Sequence, residues 1–453
     1  MGTAVKIGVI GAGSAVFSMH LVRDLCLTEE LSGSTVVFMD VDEHRLATVH
    51  RLAERYAAEI GAQLTFEQTL ERREALYDAD FVINTALLGG HGRKEAQRAL
   101  ETAHGYYRGL RLRFHQLKLM LDVARDIERY CPNAWLIQSG NPVFEGCTLM
   151  TRETTVNVVG LCHGHYHTRD VARVLGLDLE HVTTEAPGFN HCIWMTHFRY
   201  KGEDAYPLLD EWIETRAEAY WRDWQPAYGE TQMSPAAVHM YRMYDLFPIG
   251  DTARALWDPL WWYHVDLETK KRWYGPLGGF DSEIGWSLYL EQLGQRVAQI
   301  RHAADSVDSP LTELLPPEKS REQIVPIIDA LTNDRPGTYQ VNVPNNGAIP
   351  NIPDDVVVEV PAMVSGSGIQ PLQVGPLPER LMLGVMIPRL LVTERALAAF
   401  LTGDRRYLYD ILLSDHRTRS LQQAEEVLQA VFDMPGNEDL AEHFATQLPL
   451  TGL

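Results

Sequence analysis

A doubly wound parallel α/β sheet with a C-terminal α+β domain is the fold class this sequence predicts. Three observations predict it. An apolar strand at residues 5–10 runs into a glycine turn; strand and helix signals alternate through the first 160 residues; and around Thr168 the chain turns to long helices among loops rich in Trp, Tyr and Pro. The alternation is that of βαβ units, which build a Rossmann-like sheet with helices on both faces. With 453 residues the chain has room for two domains, set at 1–167 and 168–453.

Taken in order, short β-branched or apolar runs mark strands at 6–10, 35–39, 64–66, 81–85, 134–138 and 156–160. Between them, apolar residues at three- and four-residue spacing mark helices at 16–27, 44–60 and 116–130. Beyond Thr168 the same spacing marks helices at 287–304, 381–402 and 420–432. Pro-rich stretches at 309–319 and 343–354 read as surface connections.

Composition narrows the function. Apolar residues make up 45% and charged residues 22%, which is ordinary for a globular protein. The net charge of −21 repels phosphate backbones and anionic lipid, so neither nucleic acid nor a membrane surface is expected as a partner. No apolar run approaches a bilayer span, and no signal peptide precedes the first strand. Five cysteines (Cys26, Cys131, Cys147, Cys162 and Cys192) form no disulfide framework, which points to a cytoplasmic location.

The segment Val5-Lys6-Ile7-Gly8-Val9-Ile10-Gly11-Ala12-Gly13-Ser14 reads as a dinucleotide site. Gly11 and Gly13 permit a tight turn and let backbone N–H groups, with Ser14, approach a pyrophosphate at a helix N-terminus. Val16 stands where the usual fingerprint has its third glycine. Asp40 closes the second strand, where an acid accepts from ribose hydroxyls and repels a 2′-phosphate, so NAD is favoured over NADP. Asn84 ends the fourth strand, on the nicotinamide side. The alternative is a glycine turn needed for backbone reasons alone.

Cys162-His163 and Asn190-His191 each follow an apolar run. A thiolate with an imidazole suits a borderline divalent ion such as Mn2+, Fe2+, Co2+ or Zn2+. Two protein ligands leave positions open for a substrate diol, with His165 and His167 lining the site. Equally, a buried Cys is a common small hydrophobe and a loop His often satisfies a carbonyl. Asp251 before residues 252–255 reads, on residue type, as a helix cap with Arg254 as its ion-pair partner. Trp194, Trp257, Trp261, Trp262 and Trp273 could stack on sugar faces or fill the core.

In combination these segments resemble family 4 of the glycoside hydrolases, NAD- and metal-dependent glycosidases, and within it the thermophilic α-glucosidase branch. The likeness runs through residues 11–18 (GAGSAVFS), 162–166 (CHGHY), 190–194, 202–214, 248–254 (PIGDTAR) and 354–361, nearly the whole chain. It implies a lactate/malate dehydrogenase-like architecture, an α-glycoside substrate, a manganese (Mn2+) or other divalent ion, and a homodimer or homotetramer. It also implies a reaction in which C3 of the sugar loses hydride to NAD, the C2 proton becomes acidic and is removed, the C1 leaving group is eliminated, water adds, and C3 is reduced again.

Carried over by position, the resemblance makes Cys162 and His191 the metal ligands and His163 the proton donor to the leaving group. Asp251 becomes the C2 proton acceptor, and Asn141 and Arg254 contact the sugar. One departure stands out. After Gly105-Tyr106-Tyr107-Arg108-Gly109 the related α-glucosidases carry about a dozen further residues, including an acidic one; here Leu110-Arg111-Leu112-Arg113-Phe114 leads directly into a helix. A shortened loop, a shift to another α-hexoside such as an α-galactoside or α-uronide, and lost hydrolysis are the readings of that departure. Two other function classes stay open on the residues: a plain NAD-dependent 2-hydroxy acid dehydrogenase and a non-catalytic NAD-binding sensor.

Overall fold

Lys6–Ile10 forms the first strand, β1, because four of its five residues are buried and Gly11 turns the chain away at its end. The structure is a computed structural model that describes residues 2–110, 113–254, 262–306 and 310–445. Trp257, Trp261, Arg111, Leu112, Ala255 and Ser309 lie outside the described residues. The chain forms two compact units, each assembled from three segments. The first takes residues up to Leu87, Leu119–His163 and Leu290–Gly375; the second takes Leu88–Lys118, Gly164–Tyr289 and the chain from Pro376.

In the first unit, β1 is joined by β2 (Thr35–Met39), β3 (Thr65–Thr69), β4 (Phe81–Asn84), β5 (Trp135–Gln138) and β6 (Asn157–Gly160). All pair in parallel, in the order β3-β2-β1-β4-β5-β6. That is the Rossmann-like order expected, with the reversal of winding between β1 and β4, where ligands of such sheets bind. Helices Ala15–Cys26 and Glu43–Ile60 follow β1 and β2; Asp42 caps the second by accepting from Arg45 N at 3.0 Å, and Gly61 ends it in the left-handed region. Ile10, Val37, Val82, Leu136 and Val158 from five strands share one core with Met120, Val123 and Ile127 of the helix Phe114–Tyr130.

The segment Leu290–Gly375 sits past the 167/168 division drawn from the sequence, yet returns to the first unit. The reason is pairing. Strand β7 (Gly337–Pro344) meets β6 antiparallel at Asn342 and Gly160, β8 (Val357–Ser365) pairs along the whole of β7, and β9 (Gly368–Pro371) pairs with β8. The stretch 343–354, expected to be wholly a surface connection, therefore begins inside β7. Its turn is held by buried Asn345, whose amide donates to the carbonyls of Ile349 and Ile352 at 3.0 and 2.7 Å.

The second unit carries a hairpin, Gly188–Phe189 with Cys192–Met195, to which Phe247–Ile249 adds antiparallel. A separate sheet joins Val182–Glu185, His197–Tyr200 and Glu203–Asp204. The helix expected at 381–402 is α-helical at Leu381, the end of a short turn Glu379–Leu381, and over Ile387–Thr402; Met382–Met386 between them is a π turn, next to Pro388, which has no N–H to give the ladder. A core of Tyr106, Leu408, Leu412, Val427, Leu428 and Val431 packs the C-terminal helices. Among the described residues no helix is long and apolar enough to cross a membrane.

Candidate active site

The glycine turn after β1 is shaped by contacts that a side chain would block. Gly11 has φ +86°, and a Cβ there would lie 2.6 Å from Ala86 Cα; a Cβ on Gly13 would lie 2.7 Å from Asp40 Oδ2. Backbone N–H groups of Gly11 and Ala12 donate to the Met39 carbonyl at 2.9 and 3.0 Å, and Gly13 N donates to Asp40 Oδ2 at 2.8 Å. The Thr85 hydroxyl ties the end of β4 to the turn by donating to the Gly11 carbonyl at 3.2 Å. Ser14 is exposed at the start of helix Ala15–Cys26, whose first turn holds no acid. Positive partial charge at that helix end, a backbone open to close approach and an acid ending the next strand form a cradle that fits a dinucleotide.

Asn84 is fully buried; its Nδ2 donates to Gln138 Oε1 at 2.9 Å and its Oδ1 accepts from Ala86 N at 3.2 Å. It braces the mouth of the β4 and β5 ends. Asn141 is exposed just past β5, where its Oδ1 accepts from Val143 N at 3.4 Å. Cys162, half-buried, and His163, exposed, follow β6. Gly160 lets that strand close: a Cβ there would meet Val143 Cγ1 at 2.5 Å. His163 Nδ1 lies 3.1 Å from Glu322 Oε1, a partner from the returning segment that no sequence motif announces.

In the second unit His191 occupies the hairpin turn with φ +61°. A non-glycine residue in this region costs on the order of 1 kcal/mol, so the hairpin must hold it there. Asp251 lies in the short 3-10 turn Gly250–Ala253, inside the turn and not at its cap position, which is Ile249. Thr252 binds this turn to the hairpin, its Oγ1 accepting from Ile193 N at 2.8 Å and donating to Ile193 O at 3.0 Å. Gln232 adds a second tie, accepting from Gly250 N and donating to Pro248 O, both at 2.7 Å.

The result brings three of the sequence-selected residues together. His191 Nε2 lies 3.1 Å from Asp251 Oδ2, and Arg254 pairs with Asp251 Oδ1 and, through Nη1, with Asp281 Oδ2 at 3.1 Å. Burial lowers the His191 pKa, with Arg254, Arg389 and Arg113 adding to it and Asp251 opposing. Burial pushes Asp251 upward, but the Arg254 guanidinium and His191 outweigh it and hold its carboxyl below the ordinary range. A neutral imidazole therefore faces an ionised carboxylate. Asp281, 8% exposed, escaped the sequence reading because Asp-Ser-Glu before a helix looks like ordinary capping.

The donor chemistry fits a borderline metal. Metal binding requires the neutral imidazole that burial favours at His191 and a thiol such as Cys162. Among the described residues no group of three or more His, Cys, Asp or Glu side chains that could hold a metal ion is found. Trp194 is fully buried and belongs to the core, not to a sugar face.

Residues 6–177 match the profile of family 4 glycosyl hydrolases, and residues 186–418 match the C-terminal domain of the same family. An α-galactosidase from Bacillus subtilis is 26% identical over 83% of this chain and 85% of its own length. An α-galacturonidase from Thermoanaerobacter italicus is 24% identical over 95% and 96%, and an α-glucosidase from Erwinia rhapontici 25% identical over 94% and 97%. Among solved structures, a putative glucosidase, lplD, from Bacillus subtilis superposes with TM-score 0.77 at 22% identity over 94% of this chain and 99% of its own. A 6-phospho-α-glucosidase from gut microorganisms, in complex with NAD and Mn2+, superposes with TM-score 0.74 at 19% identity over 97% and 98%. A lactate dehydrogenase from Eimeria maxima shares the fold at TM-score 0.51 and 16% identity, over 89% of this chain and 98% of its own. Matched in both of its parts along most of its length, the chain belongs to family 4 of the glycosyl hydrolases.

Proposed function

We infer that this family 4 hydrolase cleaves α-glycosides, with an α-glucoside as the leading substrate, using NAD and a divalent ion such as Mn2+. One observation carries the reading: a buried carboxylate, Asp251, kept ionised by Arg254 and set 3.1 Å from the neutral ring of His191. Such a carboxylate is ready to accept a proton, and because its lowered pKa makes it a weak base it takes one from carbon only once that proton has been made acidic. Bound NAD supplies the hydride acceptor for C3, and a bound divalent ion supplies the Lewis acid for the neighbouring oxygens.

The chain's own residues do the rest. Gly11 and Gly13 let the pyrophosphate approach the turn closely, at the N-terminus of the helix that Ser14 precedes, Asp40 accepts from the ribose hydroxyls, and Asn84 shapes the nicotinamide end. Cys162 and His191 hold the metal. Asp251 accepts the C2 proton, and His163, oriented through Nδ1 by Glu322, gives a proton to the departing oxygen from Nε2. Asn141 and Arg254 position the sugar. Residues 1–167 carry the dinucleotide part of this machinery and the remainder most of the sugar part. Free thiols at Cys26, Cys131 and Cys147 support a reducing, cytoplasmic setting, and a homodimer or homotetramer is the proposed assembly.

The test is turnover in D2O with NAD, Mn2+ and a thiol reductant. Deuterium at C2 of the released sugar is expected, and unlabelled product sinks the elimination route. A 2-hydroxy acid dehydrogenase would instead accumulate NADH in step with product. A second reading, an α-uronide substrate, has one observation in its favour: Arg113, Arg254 and Arg389 all act on the charge of His191. Relative rates on α-glucoside, α-galactoside and α-galacturonide decide between the substrates.

A further inference from the structure

Asp281 stands just before the helix Glu283–Asp305, at a point where several cations of the second unit meet. Its Oδ2 accepts from Arg254 Nη1 at 3.1 Å, its Oδ1 lies 3.8 Å from Arg98 Nη2, and its main-chain carbonyl accepts from Arg108 Nε at 3.0 Å. Ser282 fixes the same turn, its hydroxyl donating to the Gly279 carbonyl at 2.9 Å and accepting from Gly285 N at 2.8 Å. Burial works against a charge on Asp281, yet Arg254, Lys270 and Arg98 hold its carboxyl far below the ordinary range. A fixed anion at this place fixes whatever it binds.

Arg254 is what it binds. The guanidinium carbon lies 4.5 Å from the centroid of the Phe280 ring, so one flat face is covered. One nitrogen of the fork goes to Asp281 and the other to Asp251 Oδ1. A planar guanidinium with its face and one nitrogen committed has a single direction left in which to offer the second nitrogen. With Asp251 Oδ2 turned toward His191 Nε2, the carboxylate plane is defined from two sides.

We propose that Asp281 is a positioning residue: by anchoring Arg254 it sets the direction in which the Asp251 carboxylate meets the C2 hydrogen of the sugar. The proposal rests on the reading of Asp251 as the C2 proton acceptor. It adds a residue that makes no contact of its own with the reacting atoms and acts through a single intermediary.

The test uses the full enzyme with NAD and Mn2+ and the α-glycoside that the wild type turns over fastest, protiated or deuterated at C2. Asp281→Asn is expected to lower kcat about 100-fold while KM, through the sugar contact of Arg254, rises by no more than about tenfold, the signature of a misaimed group whose main cost falls on the chemical step. The C2 isotope effect is expected to rise, because proton removal becomes the slower step. Asp281→Asn combined with Asp251→Asn is expected to be no slower than Asp251→Asn alone, since losses that act through one group do not add. Arg254→Lys, which keeps the charge but loses the fork, is expected to show the same isotope effect and serves if Asp281→Asn fails to fold. Losses that add in the double variant, or an unchanged C2 isotope effect in a variant with native NAD binding and thermal midpoint, overturn the positioning role. If Asp251→Asn still exchanges C2 with solvent, the reading of Asp251 falls first and the positioning role falls with it.

Discussion

Different causes fix the states of His191 and Asp251: the imidazole is neutral because it is buried, against the pull of Asp251, and the carboxylate is charged chiefly because Arg254 faces it. Neither condition is visible in a residue type. From the letters alone Asp251 reads as a cap and Arg254 as its partner; the ion pair exists, but the cap does not, since both Asp251 oxygens are turned to side chains. Asp281 and Glu322 were illegible for a related reason, their partners being far off in sequence. Cys162→Ser is expected to lower Mn2+ affinity at least about tenfold while NAD affinity stays within about twofold, because a hydroxyl is a poorer, harder donor than a thiolate; titrations of each cofactor check it, and joint loss of both refutes separate ligand sets. A second residue-scale prediction concerns Lys270. It is fully buried beside His264, Nζ to Nδ1 2.9 Å, and burial above all pushes its pKa down to about 7. The unfolded chain binds that proton below about 10.4, so between those values the unfolded state holds more protons and this group's contribution to stability rises with pH. Lys270→Met is therefore expected to raise the thermal midpoint more at pH 6 than at pH 9. An equal shift at both values would mean the lysine is not titrating in the fold.

Among elements, what the sequence made readable was what is buried on both sides. β1, β2 and β4 are nearly or wholly buried and appear as continuous apolar runs, so their places were legible. β3 lies at the end of the sheet with only Phe66 buried, and its polar second half hid the last three residues of the strand. β7 and β8 were missed because they come after a long helix, in a stretch whose prolines suggested a connection. The glycine turn carries the element-scale prediction. Gly13→Ala would put a methyl carbon against Asp40 Oδ2, displacing the carboxylate that the ribose needs. NAD affinity is expected to fall about tenfold or more, the loss of roughly one good hydrogen bond to a charged group. Cofactor titration monitored by fluorescence checks it, and unchanged affinity would assign the turn a backbone role only.

For the whole molecule, the strongly acidic balance repels anions at a distance, so the choice between a neutral and an anionic sugar is left to local cations. Dialysis against a chelator is expected to abolish hydrolysis and Mn2+ to restore it, with no net NADH formed at any stage. Full activity after metal removal would remove the ion from the mechanism. The three-segment build of the first unit has one more consequence. β6 finds its antiparallel neighbour only in a stretch that leaves the ribosome roughly 180 residues after His163, which at ~5–20 residues per second means about nine seconds or more of waiting. Through that interval the nascent polypeptide carries an open parallel edge, and its safest companion is a chaperone.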